Sequence, residues 1–123
     1  MSFEQGRQAE EFVRRRLDLD ECDRDWCDAV DPGTGEKYEI KSAQPERRFR
    51  LWQDNHRSLS ASGAQNGTAW YVFVTQDRPM IKAKSTEVTE WVNQRGGWNK
   101  AGHERRDGKQ LKIPVDWVYE QVD

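Results

Sequence analysis

The chain has 123 residues, of which 34% are hydrophobic and 34% are charged, and its formal net charge is −2 at pH 7. This length predicts one domain over residues 1–123. The charge excludes a uniformly basic nucleic-acid binder but not a local basic patch. The N-terminus matches neither a signal nor a transit peptide, and no apolar run reaches the ~20 residues that span a bilayer. We therefore expect a cytoplasmic protein without a membrane segment, in which Cys22 and Cys27 are reduced.

Residues 3–17 have the apolar spacing of an amphipathic helix. The small and apolar stripe consists of Phe3, Gly6, Ala9, Val13 and Leu17. At ~100° per residue, Glu10 falls inside this stripe, whereas Glu11 falls outside it. A carboxylate turned toward the interior is costly without a partner or a metal, which makes Glu10 a candidate functional residue. In the alternative interpretation, its stem packs on the protein while its head group reaches water.

Two alternating segments, residues 26–31 and 37–42, flank the turn sequence PGTGE and predict a β-hairpin. If the turn is centred on its second and third residues, Asp28 lies opposite Glu39. Directly opposed residues of an antiparallel pair point to the same face. A turn one residue longer would shift the register and bring Asp31 to that face instead.

A pair of carboxylates on one sheet face suggests a cation site. Two like charges in close contact repel each other unless a cation lies between them, and carboxylate and water oxygens suit Mg²⁺ or Mn²⁺. Lys41 follows Glu39 on the same face, where its ammonium group can stabilise charge that develops on a phosphate. Glu10 would project from the first helix toward the same pocket as Asp28, with Asp31 as the competing choice for the aspartate.

The rest of the chain predicts alternating helices and strands. A helix over 45–59 starts at Pro45 and is ended by SASGAQNG, and a buried central strand follows over 68–75. A short strand over 80–84 then leads into a helix over 85–96 that Ser85 or Thr86 caps. The last elements are a polar loop over 96–109 and a strand with a terminal segment over 110–122. The order αββαβ followed by βα predicts an α/β fold in which helices flank a mixed sheet.

The second predicted helix combines a packed stripe with many cationic side chains. The stripe consists of Phe49, Trp52, His56 and Leu59. Arg47, Arg48, Arg50 and Arg57 lie mostly away from the stripe. They are candidates for phosphate contacts that position DNA without reading its sequence, and the alternative is a merely solvated helix face. His56 lies on the stripe, so we expect a packed rather than a catalytic histidine.

The segment GRQAEEF on a helix, followed by D…EIK on a hairpin, a helix and a hydrophobic strand, resembles the PD-(D/E)XK nuclease superfamily. This superfamily includes many restriction endonucleases and the archaeal Holliday-junction resolvases, and the resemblance covers residues 3–75. It implies a restriction-endonuclease-like αββαβ core and metal-dependent hydrolysis of DNA phosphodiester bonds. The small resolvase-like members are the nearest in size and layout, which points to branched DNA as a substrate.

The resemblance also implies roles for individual residues. Asp28 and Glu39 would be ligands of Mg²⁺ or Mn²⁺, and the carbonyl oxygen of Ile40 would be a further ligand. Lys41 would be the catalytic lysine, and Glu10 would match the acidic residue of the first helix. Many members act as dimers, so a homodimer is compatible with the resemblance. The alternative function is a non-catalytic nucleic-acid-binding module or complex subunit on a nuclease-like fold.

Overall fold

The computed structural model describes residues 6–100 and 108–122. In chain order, the elements are α1 (Gly6–Arg16), β1 (Asp20–Arg24), β2 (Cys27–Val30), β3 (Lys37–Ser42), β4 (Arg48–Trp52), α2 (Gln53–Asn66), β5 (Trp70–Val74), β6 (Ile81–Lys84), α3 (Ser85–Gln94), β7 (Asn99–Lys100), β8 (Lys109–Pro114) and α4 (Val115–Val122). A main sheet has the strand order β1-β2-β3-β5-β6, and a second sheet has the order β4-β8-β7. Because β3 and β5 are parallel while β2–β3 and β5–β6 are antiparallel, the main sheet is mixed, as predicted.

Helices cover both faces of the main sheet. On one face, Val13 of α1 packs with Ile40 of β3 and Val72 of β5. On the other face, Leu59 of α2 packs with Phe73 of β5. Burial on both faces explains why the segment that forms β5 is almost continuously apolar and β-branched or aromatic. The predicted central strand is therefore confirmed.

Residues 48–52 form a strand rather than the first half of the predicted second helix. Arg48 and Arg50 are exposed, while Phe49 and Leu51 are buried. This is the period of two that a half-buried strand shows. The segment is extended because it pairs antiparallel with β8, a partner that comes much later in the chain and that local spacing does not reveal.

The second helix also begins and ends later than predicted. It covers Gln53–Asn66 instead of starting at Pro45, and it continues through the segment expected to break it. Gly63 does not interrupt the helix but lets it approach β5, since a Cβ at this position would lie 3.1 Å from the backbone nitrogen of Ala69. The helix ends at Asn66, and the capping residue Gly67 has a φ of 101°, which favours glycine.

The acidic sequence DLDECDRD after α1, which has no strand pattern, contains the strand β1. β1 pairs antiparallel with β2, and a disulfide joins Cys22 to Cys27 across this hairpin. The expectation of reduced cysteines is therefore wrong for this structure. The hairpin places the two Cα atoms 5.6 Å apart, a separation that suits a disulfide.

The short strand β6, the third helix and the final strand β8 occur where they were predicted, and the terminal segment that follows β8 is the helix α4. The N-cap of α3 is Lys84 rather than Ser85 or Thr86. The backbone N–H of Lys84 donates to the Glu87 carboxylate at 3.3 Å. The backbone N–H of Ser85, the first residue of α3, instead donates to the carbonyl oxygen of Ala69 directly before β5, so it ties the start of the helix to the main sheet.

Parts of two predicted elements lie outside the described residues, namely 3–5 of the first helix and 101–107 of the polar loop. Across residues 6–100 and 108–122, none of the helices combines the length and the apolar character that crossing a bilayer requires.

Candidate active site

The hairpin of β2 and β3 has the predicted register, with Ala29 opposite Tyr38. The same register places Asp28 level with Glu39. The Asp28 carboxylate does not simply project from the sheet, because its Oδ2 accepts a hydrogen bond from the backbone N–H of Ile40 at 2.8 Å. Asp28 is thereby held beside the acidic residue of β3 by the backbone of the neighbouring strand.

Glu39 is a charged residue in a nearly closed environment, since it is only 3% exposed. Its Oε1 lies 2.9 Å from Nζ of Lys41, and Asn55 of α2 also hydrogen-bonds to it. Burial raises the pKa of Glu39, and the ammonium of Lys41 and the amide of Asn55 oppose this increase. Oε2 of Glu39 is buried without a hydrogen-bond partner among the described residues. An unpaired buried carboxylate oxygen is costly, so a cation or a hydrogen-bond donor next to this atom would stabilise it.

Glu10 meets Asp28 across the boundary between α1 and the sheet. Burial, together with the hydrogen bond and the negative charge of Asp28, raises the pKa of Glu10 to about 7. Arg14 opposes this shift and donates from Nη1 to the Asp28 carbonyl oxygen at 3.3 Å. Two carboxyl groups in contact hold a proton, or a cation, more tightly than either would alone.

Asp31 lies apart from the cluster of Glu10, Asp28 and Glu39 and stabilises the turn instead. Its Oδ1 accepts the backbone N–H of Gly33 at 2.8 Å, and its carbonyl oxygen accepts the N–H of Gly35, also at 2.8 Å. Asp31 is three positions from Asp28 along the chain, so the two side chains point to opposite faces of the hairpin. Only Asp28 is therefore placed beside Glu39.

The acidic groups fit a small divalent cation held partly by water. Across residues 6–100 and 108–122, no three Asp, Glu, His or Cys side chains converge tightly enough to bind a metal by themselves. However, Asp28 raises the pKa of both Glu10 and Glu39, so the three carboxyl groups interact electrostatically. The unpaired Oε2 of Glu39 adds an oxygen donor without a counter-charge. Carboxylate oxygens completed by water are the ligands that Mg²⁺ prefers.

A sequence model of the PD-(D/E)XK nuclease superfamily domain matches residues 1–120. The chain belongs to the PD-(D/E)XK nuclease superfamily. Its fold is similar to that of Hjc, a Holliday junction resolvase from the archaeal hyperthermophile Archaeoglobus fulgidus, with a TM-score of 0.54 and 10% sequence identity over 94% of this chain and 95% of that chain. At this identity, the likeness shows a shared restriction-endonuclease-like fold and nothing beyond it. No curated protein matches the chain significantly in sequence.

The structure of this PD-(D/E)XK domain divides the predicted DNA-binding arginines into two groups. Arg47, Arg48 and Arg50 line an open groove of about 810 Å³ together with Lys41. Arg57 is exposed on α2 and does not line this groove. The division follows from the secondary structure, because the first three arginines lie on or before β4, whereas Arg57 lies on the helix.

Two further residues of the nuclease domain were missed by the sequence analysis. Lys112 lines the same groove, because β8 places it directly opposite Arg50 of β4. Asn55 is 9% exposed and hydrogen-bonds to Glu39. Lys112 carries no local signal, since its place in the groove depends on the pairing of two distant strands. A polar residue on the packed side of a helix, as for Glu10, was the only available clue to Asn55.

His56 is packed, as expected, and the structure defines its tautomer. Nδ1 lies 2.8 Å from the Tyr71 hydroxyl, and Nε2 lies 2.7 Å from Oγ1 of Thr89. Because Thr89 donates its hydroxyl proton to the Ser85 carbonyl at 3.1 Å, it accepts from Nε2–H, and Nδ1 accepts from Tyr71. Burial lowers the pKa of His56 to about 4. The imidazole is therefore neutral at physiological pH and links β5 to α2 and α3.

Proposed function

We propose that this protein is a divalent-metal-dependent endonuclease that hydrolyses DNA phosphodiester bonds with Mg²⁺ or Mn²⁺. One observation carries the proposal: Glu39 is buried beside Asp28 and paired with Lys41 at 2.9 Å, yet its Oε2 has no partner among the described residues. A fold gains little from an unpaired buried oxygen. A cation-binding role gives this arrangement a chemical purpose.

Each residue of the cluster would have a separate part in the reaction. Asp28, Glu39 and the carbonyl oxygen of Ile40 would hold the cation, which polarises a phosphate and lowers the pKa of bound water. The ammonium of Lys41, kept in place by Glu39, would offset the negative charge that develops on the phosphate. Glu10, whose pKa is raised to about 7, would hold or release a proton next to Asp28.

The proposed substrate is DNA, with branched DNA as the first choice. The fold shared with Hjc, which is a Holliday junction resolvase, supports this choice. A nuclease domain of 123 residues also has limited surface for reading a long base sequence. We further propose a cytoplasmic location and a homodimer, in which two active sites would cut two strands.

The test is a cleavage assay on plasmid and four-way-junction DNA in Mg²⁺ or Mn²⁺. We expect Lys41→Ala to lower the cleavage rate by about 10²-fold or more, the usual cost of removing one group that stabilises transition-state charge. Lys37→Ala is the matched control, because Lys37 lies on the same strand and its Nζ donates to the turn carbonyl of Gly35 at 2.8 Å, away from Glu39. It should cleave like the wild type.

The assay also distinguishes the alternative function. DNA binding without cleavage of any substrate in either metal would contradict the endonuclease proposal and support a non-catalytic binding module. Equal cleavage by the Lys41→Ala and wild-type proteins would show that the chemistry lies elsewhere.

A further inference from the structure

A strongly basic groove lies beside Lys41, where the main sheet meets the second sheet. We define the basic groove by its charged lining residues, which are Lys41, Glu46, Arg47, Arg48, Arg50 and Lys112. These are five cations and one anion, in a protein whose formal net charge is −2. The positive charge is therefore concentrated locally, as expected of a surface that binds an anionic polymer.

The arrangement of these cations follows from strand geometry. Arg48 and Arg50 occupy alternate positions of β4, so they point to the same exposed face and stand ~7 Å apart along the strand. Lys112 lies directly opposite Arg50 on β8, which places it on that face within ~5.5 Å of its neighbour. Buried Phe49 and Leu51 fill the positions in between and anchor the face to the core. The second sheet thus presents a regular array of cations.

The opposite charge occurs on the hairpin of β1 and β2. The depression around this hairpin is lined by five carboxylate residues, namely Glu10, Glu21, Asp23, Asp25 and Asp28, and by only two arginines. A polyanion is therefore repelled along the hairpin and attracted along the second sheet. The charge distribution therefore favours the approach of a polyanion to Asp28 and Glu39 from the side of the second sheet.

The lining of the basic groove favours contact with phosphates over contact with bases. Trp52 is the only aromatic residue that lines the groove among the described residues, and it is 8% exposed. Proteins that bind single strands present aromatic faces on which bases stack, and a ring this deeply buried cannot provide one. A surface that offers cations alone reads the backbone.

We propose that the basic groove binds the phosphate backbone of a duplex DNA arm next to the cleaved bond, and that Lys112 is a phosphate-contacting residue. This inference rests on the proposed function, because it identifies how the substrate of that same site is held. It adds the second sheet, and a lysine far from the acidic cluster in sequence, to the DNA-binding surface.

The experiment measures binding without turnover. Fluorescence anisotropy with the whole protein and a labelled 20-base-pair duplex in EDTA gives the dissociation constant at several salt concentrations. Loss of one phosphate contact makes the slope of log K against log[salt] shallower by ~0.9 and weakens binding by about 5–10-fold at 0.1 M salt. We expect this change for Lys112→Gln. Lys109→Gln is the matched control, since it removes the same charge from the opposite, non-groove face of β8, and it should leave the slope unchanged.

A second variant guards against a folding defect. Arg50→Gln, on the neighbouring strand, should reproduce the change in slope, and both variants should keep the wild-type melting temperature. Equal slopes for Lys112→Gln and Lys109→Gln, or tighter binding of the single strand than of the duplex, would overturn the inference. If the wild type cleaves DNA while Lys112→Gln binds normally, only the basic groove is refuted. If Lys112→Gln weakens binding but the wild type cleaves nothing, only the proposed catalysis is refuted.

Discussion

Acidification from pH 7 to pH 4 should weaken the fold through one buried side chain, His56. Its pKa is lowered from 6.5 to about 4 by burial. Above pH 6.5, the imidazole is neutral in both the folded and the unfolded chain, so its contribution to stability is complete. Below pH 6.5, the unfolded chain binds a proton that the folded chain does not bind until about pH 4. The free energy of unfolding therefore falls across this interval, by about 3 kcal/mol at ~1.4 kcal/mol per pKa unit.

Two carboxyl groups change stability in the opposite direction. Burial raises the pKa of both Glu10 and Glu39 above the ordinary value of 4.5, so the folded chain holds these protons more tightly and gains stability as the pH falls. The contribution of His56 is consequently visible only against a matched variant. His56→Gln cannot titrate and keeps an amide donor for Thr89, which makes it the appropriate reference.

The assay is urea unfolding of both proteins at several pH values between 4 and 7.5. The variant should be less stable at pH 7 by about 1–3 kcal/mol, because a buried hydrogen bond to Tyr71 is lost. Between pH 6.5 and pH 4, the wild type should lose about 3 kcal/mol more than the variant. The chain has only two histidines, so an NMR titration resolves the imidazole directly. Parallel pH profiles, or a native midpoint for His56 near 6.5, would refute the reasoning.

Three further changes test the packing and the covalent link. Phe49→Ala should lower the free energy of unfolding by about 3–5 kcal/mol, as measured in urea, because the ring is fully buried; a cost below 1 kcal/mol would contradict the described core. Reduction by dithiothreitol should cost about 2 kcal/mol for so short a loop, whereas the Cys22→Ala/Cys27→Ala double variant should not respond to it. Gly63→Val should lower the melting temperature, since its Cβ would lie 3.1 Å from the nitrogen of Ala69 and overpacking costs about 1–3 kcal/mol; an unchanged melting temperature would mean that this contact relaxes freely.

The sequence was sufficient where the decisive interactions are local. The turn PGTGE determines the register of β2 and β3 because Asp31, which directly precedes it, accepts hydrogen bonds from the backbone N–H groups of Gly33 and Gly35. The register then follows residue by residue, so the proximity of Asp28 to Glu39 was predictable. The inward orientation of Glu10 was equally predictable, because helical periodicity alone assigns it to the packed face.

The sequence was insufficient where distant segments decide the structure. The residues around Phe49 satisfy both a helical and an alternating pattern, and only the pairing with β8 makes the segment a strand. Lys112 joins the basic groove for the same reason. The disulfide of Cys22 and Cys27 depends on a hairpin whose first strand, β1, is too exposed to show an apolar alternation.

The Asp28 carboxylate accepts a hydrogen bond from the backbone N–H of Ile40. Between neighbouring strands, a backbone carbonyl oxygen usually accepts such a bond. Loss of cleavage by an Asp28→Ala protein would therefore have two explanations. The substitution removes both the charge of the carboxylate and a hydrogen bond between β2 and β3. Asp28→Asn retains an oxygen acceptor for that N–H while abolishing the charge. The amide substitution is therefore the informative one, because it keeps the hydrogen bond to the Ile40 backbone while it removes the charge of the proposed cation ligand.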